Sequence, residues 1–72
     1  MMDLNAQLLA AHEADDTRAL ARLYAQAAEV ATNDDGRGFF LTHALVFALE
    51  AGAPEASALR QELIEMGREM PV

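Results

Sequence analysis

Apolar residues recur along this 72-residue chain at the three-and-four spacing of helices, and polar clusters cut the pattern into four stretches. The first, about Leu4 to Ala14, sets Leu4, Leu8 and Ala11 on one stripe with Leu9 beside it. Asp3 stands where a short carboxylate can cap the first turn. Asp15 and Asp16 interrupt the pattern and are placed to cap a second helix, about Thr17 to Ala31. Its apolar side reads Leu20, Leu23, Ala27 and Val30, flanked by Tyr24, with Arg18 and Arg22 turned away. The turn-forming cluster Asn33-Asp34-Asp35-Gly36-Arg37-Gly38 predicts a loop over 33–38. A third helix, about Phe39 to Ala51, is apolar nearly all round, with only Thr42, His43 and Glu50 polar, and such a helix is expected to be enclosed by its neighbours. Gly52 suits a left-handed helix end, and Pro54 suits a first turn that needs no N–H. The fourth helix, about Pro54 to Gly67, carries Ala56, Leu59, Leu63, Met66 and Met70 as one seam, and Gly67 and Pro71 end it.

Composition supports an all-α fold. Ala fills 16 positions, whereas Val, Ile and Thr together fill seven, so the chain is rich in helix formers and poor in strand formers. The expected architecture is a single domain of four helices, either two stacked αα-hairpins or a small four-helix bundle. Hairpin one spans about 3–32 and hairpin two about 39–68, with the loop between them. In a stacked pair the third helix touches the first, second and fourth, and Ala19, Ala27, Ala44, Ala48 and Ala56 let backbones approach closely.

Shifting the chain by 37 residues sets Leu4 on Leu41, Leu8 on Leu45, Ala11 on Ala48, Glu13 on Glu50, Ala14 on Ala51, Ala19 on Ala56 and Ala21 on Ala58, seven identities in 18 positions. Leu9 falls opposite Val46. The stretch Ala-Leu-Val-Phe-Ala-Leu-Glu-Ala-Gly-Ala-Pro-Glu-Ala from Ala44 to Ala56 is similar to the hinge of Sel1-like repeats, and Leu23-Tyr24-Ala25-Gln26-Ala27-Ala28-Glu29 resembles their second helix. The chain thus resembles the tetratricopeptide and Sel1-like helical repeats, as two degenerate units. That resemblance implies a scaffold that holds a protein or peptide and carries no catalytic residues. In the family's geometry the first helix of each unit lines the concave face, which points to Asn5, Leu9, His12, Thr42, His43 and Val46, with Glu13 and Glu50 at the rim. A stack of only two units leaves an open end, so either the core is marginal or another chain covers it.

Charge narrows the partners. Twelve carboxylates against five arginines give a net charge of −7, and a chain without a cationic stripe is a poor match for nucleic acid or an anionic membrane. The start has no basic segment ahead of an apolar run, so a cytoplasmic protein is expected. Cys is absent, Ser57 is the only serine, and neither histidine has a partner at catalytic or ligand spacing. Asn33-Asp34-Asp35-Gly36 fails as a calcium loop, because Ala31 and Thr42 fall where acidic ligands are required. His12 reads as a solvated helix-end residue and His43 as a hydrogen-bonded, half-buried one. No catalytic residue, metal or cofactor is expected.

The sequence therefore predicts a small, acidic, non-catalytic interaction module whose protein or peptide partner has a basic surface. Two alternatives share the pattern. One is a homodimeric structural protein paired through Leu59, Leu63, Met66 and Met70. The other is an inhibitor that masks a basic site on an enzyme.

Overall fold

The computed structural model describes residues 3–67. Among them are four helices and no strand: α1 (Leu4–Glu13), α2 (Thr17–Val30), α3 (Asp34–Ala51) and α4 (Glu55–Glu65). The first three begin at side-chain caps. Asp3 accepts from the Ala6 amide at 2.7 Å, Asp16 from Ala19 at 3.1 Å and Asn33 from Gly36 at 2.7 Å, and each bond satisfies an amide that has no partner within its own helix. Pro54 precedes α4 without a side-chain cap.

The largest departure from expectation is the start of α3. The predicted loop over 33–38 is replaced by a short break at Ala31, Thr32 and Asn33, and Asp34 to Gly38 form the first turns of the helix. Asn33 is the cap, and Asp34 and Asp35 lie at the positive end of the helix dipole. Gly36 and Gly38 are poor helix formers, but two bonds pin this stretch: Thr42 Oγ1 donates to the Gly38 carbonyl at 2.8 Å, and His43 Nδ1 donates to that of Phe39 at 2.9 Å.

Close backbone packing joins only helices that are neighbours in the chain. α1 lies on α2, α2 on α3 and α3 on α4, while no Cα of α1 comes within 8 Å of α3 or α4, nor any of α2 within 8 Å of α4. Two helix layers at ordinary separation are about 13–15 Å thick across their Cα atoms, and the shortest extent of the fold is 14 Å. The helices therefore alternate between two layers, α1 with α3 and α2 with α4, rather than closing around one axis.

The core is built largely from alanine. Ala44 and Ala48 are fully enclosed, with Ala21, Ala28, Leu41, Leu45, Leu59 and Leu63 around them. Ala11, Leu20 and Leu23 form a second, smaller cluster under α1. Expected close-approach residues Ala27, Ala44 and Ala48 are buried, whereas Ala19 and Ala56 are half-buried. Val30, expected inside, is 71 % exposed at the end of α2.

The 37-residue correspondence has a structural counterpart at the breaks between helices. Asp15 (φ 52°) and Gly52 (φ 65°) are both left-handed, and they correspond under the shift. In each break the next residue donates to the carbonyl five positions back, Asp16 to Ala11 at 3.0 Å and Ala53 to Ala48 at 2.8 Å, which closes both helices in the Schellman manner. The correspondence lapses in the second helices. α4 buries Leu59 and Leu63, whose counterparts Arg22 and Gln26 are exposed on α2.

Candidate functional site

α3 is apolar all round but is not enclosed all round. Leu41, Ala44, Leu45 and Ala48 face the core, while Phe39, Val46 and Leu49 remain 58 %, 48 % and 60 % exposed. These three, with Thr42, follow the three-and-four spacing of a single helix face, so α3 presents a second, outward apolar stripe. On α1 the matching positions Asn5, Leu9 and His12 are also exposed, Leu9 by 64 %.

Between the two helices the gap is bridged by rings. Tyr24 rises from α2 and stacks on Phe47 of α3, with centroids 5.7 Å apart and planes 11° from parallel. His12, in the last turn of α1, meets both rings edge-on, each at 5.9 Å. Its Nε2 lies 3.0 Å from the Tyr24 hydroxyl, which donates when the ring nitrogen is unprotonated and accepts when it carries a proton. Beyond Tyr24 the row continues through His43 at 5.3 Å and on to Phe39, 4.4 Å from His43. Contact between α1 and α3, expected as helix packing, is carried by the His12 and Phe47 side chains. At the other end of the gap, Leu4, Leu8, Ala27, Val30 and Phe40 line a groove of about 500 Å³.

This geometry sets the chemistry available. A carbonyl can only accept, so the bond to Phe39 requires a hydrogen on His43 Nδ1 and leaves Nε2 as the atom open to a partner. The Thr42 hydroxyl is turned back on its own helix, so its methyl group is what remains for contact. No group of three or more His, Asp or Glu side chains suited to a metal ion occurs among the described residues. No described helix is long and apolar enough to cross a membrane.

No protein-family model, characterised protein or solved structure matches the chain. The site is therefore read from its own residues.

All eight predicted contact residues lie on α1 and α3. Asn5, Leu9, His12, Glu13, Thr42, Val46 and Glu50 are exposed and His43 is half-buried. Phe39 and Leu49 join the same face. Their signal lay in the sequence, three residues before Thr42 and three after Val46, but the expectation of an enclosed helix hid it. Tyr24 and Phe47, which hold the two helices in relation, carried no sequence signal of that role. The predicted self-association seam is placed differently from what dimerisation through it requires. Leu59 and Leu63 are 7 % and 1 % exposed and face α3, Met66 packs against the same cluster, and Met70 lies outside the described residues. The seam's leucines serve the chain's own core.

Proposed function

We propose that this protein is a non-catalytic interaction module that holds an amphipathic helical segment of another protein along the outer face of α1 and α3. The observation that carries this reading is the outward stripe of Phe39, Val46 and Leu49, continued on α1 by Leu9. An exposed apolar row at helical spacing matches the anchors of a partner helix at i, i+3 or i+4, and i+7. Glu13 and Glu50 flank the row, and the chain carries a net charge of −7, so the favoured segment bears Lys or Arg beside its apolar anchors. The resemblance to tetratricopeptide and Sel1-like repeats supports the same face, since their first helices line the binding surface.

The test is to pan a display library of helical peptides against the whole chain and measure the selected sequences on Val46→Asp. Val46 is half-exposed, so the variant keeps its helical spectrum while an apolar anchor is replaced by a charge. Basic amphipathic peptides that bind Val46→Asp at least about tenfold more weakly, roughly 1.4 kcal/mol, are expected. Selected peptides that bind the variant equally well would place the site elsewhere.

A further inference from the structure

The opposite layer holds a second groove, between α2 and α4. Its floor is apolar, formed by Ala21, Ala25, Leu41 and Leu59, and it comprises two adjoining cavities of about 540 Å³ and 310 Å³ that meet at Ala25, Glu29 and Leu59. Arg18, Arg22 and Glu55 border the larger cavity, and Arg37 and Glu62 the smaller. Three of the chain's five arginines thus border one groove of an acidic protein. None of these rim charges forms a hydrogen bond or ion pair with a described residue.

Past the favourable Asp16 cap, the charges within α2 run against its dipole. Arg18 and Arg22 occupy its first half and Glu29 its last turn, whereas a helix favours anions at its N-terminus and cations at its C-terminus. A second copy laid antiparallel across the groove corrects both features at once. It brings the C-terminal turn of its own α2, with Glu29, over Arg22 of the first copy, and the two-fold operation repeats the contact in reverse. Residues 22 and 29 exchange places about a point beside Ala25, one of three residues shared by both cavities and among the smallest on the helix, so backbones can approach there. A parallel arrangement would set like charges together.

We infer that the α2/α4 groove is the joint of an antiparallel homodimer centred on Ala25, with Arg22 of each copy paired to Glu29 of the other. The dimer leaves both α1/α3 faces pointing outward and makes the protein bivalent.

Sedimentation across a concentration series, from low micromolar to hundreds of micromolar, reads the association. Wild type is expected to approach twice the 7.8 kDa chain mass. Glu29→Arg changes the net charge from −7 to −5, one negative charge being replaced by one positive. If only general repulsion mattered, this variant would associate more tightly; the proposal requires dissociation to rise at least about tenfold. Arg22→Glu combined with Glu29→Arg restores the net charge and the pairing, and recovers the dimer. In a chain without cysteine, Ala25→Cys is expected to close a symmetric disulfide under oxidised glutathione far faster than Val46→Cys on the opposite face. A monomer throughout, a dimer that Glu29→Arg leaves intact or strengthens, a double variant that stays apart, or equal cross-linking at the two positions would each overturn the proposal.

Discussion

Leu63→Ala is the substitution that most directly tests how the fourth helix is held. The backbone of α4 comes close only to α3, and of its apolar residues Leu63 is the most enclosed, at 1 % exposure. Truncating leucine to alanine removes about three methylene equivalents, worth about 2.4 kcal/mol in transfer free energy. A cavity term adds up to about 2 kcal/mol more where the surroundings cannot relax. Because α4 packs its backbone closely against α3 alone, the helix can shift to fill part of the space, which sets the expected loss at about 2–4 kcal/mol. A core of this size rarely supplies more than about 3–5 kcal/mol in total, so the variant retains little stability. With a urea slope of about 1 kcal/mol per molar, its midpoint falls by at least about 2 M. The measurement is urea unfolding followed by far-ultraviolet circular dichroism at low micromolar chain concentration, where self-association adds least. Val46→Ala, on the exposed face, is the control and is expected within about 0.5 kcal/mol of wild type. A loss below about 1 kcal/mol for Leu63→Ala, or an equal loss for both variants, would refute the assignment of Leu63 as the anchor of α4.

Two further predictions concern the chain breaks. Gly52→Ala meets no atom within 4 Å but must adopt a positive φ, so it is expected to cost about 1–2 kcal/mol by thermal unfolding, while Asp15→Gly, relieving the same backbone conformation, is expected to be neutral or mildly stabilising. Asn33→Ala removes the cap from Gly36 and is expected to cost about 1 kcal/mol, with amide exchange rising at the start of α3 before the rest of the helix.

Much of the fold can be read from local chemistry. Asp3, Asp16 and Gly52 act where their side chains or backbone freedom predict, because capping depends on a few adjacent atoms. The same chemistry explains the error at 33–38: Asn, Asp and Gly favour both turns and helix starts, and the outcome depended on Thr42 and His43, which reach back to the Gly38 and Phe39 carbonyls. Spacing alone also cannot name the neighbour that covers a face. α3 carries apolar residues in every direction, so its pattern did not distinguish Ala44, which is enclosed, from Val46, which is not. The α4 seam was expected to pair with a second copy, whereas Leu59 and Leu63 lie in the chain's own core. The 37-residue shift sets Asn5 on Thr42, Leu9 on Val46 and Glu13 on Glu50, and all six of these residues are exposed on α1 or α3.

That close backbone packing joins only chain neighbours also bears on how the molecule forms and opens. Most backbone contacts join consecutive helices, so the main loops closed during folding are short and folding is expected in the microsecond-to-millisecond range typical of helical domains. Opening is correspondingly graded. α1 and α4 each lie close along the backbone to a single helix, and either is expected to detach while the α2–α3 pair, with Ala28, Ala44 and Ala48 at its centre, stays closed. The ends of the layered fold are thus expected to open first, and the central hairpin last.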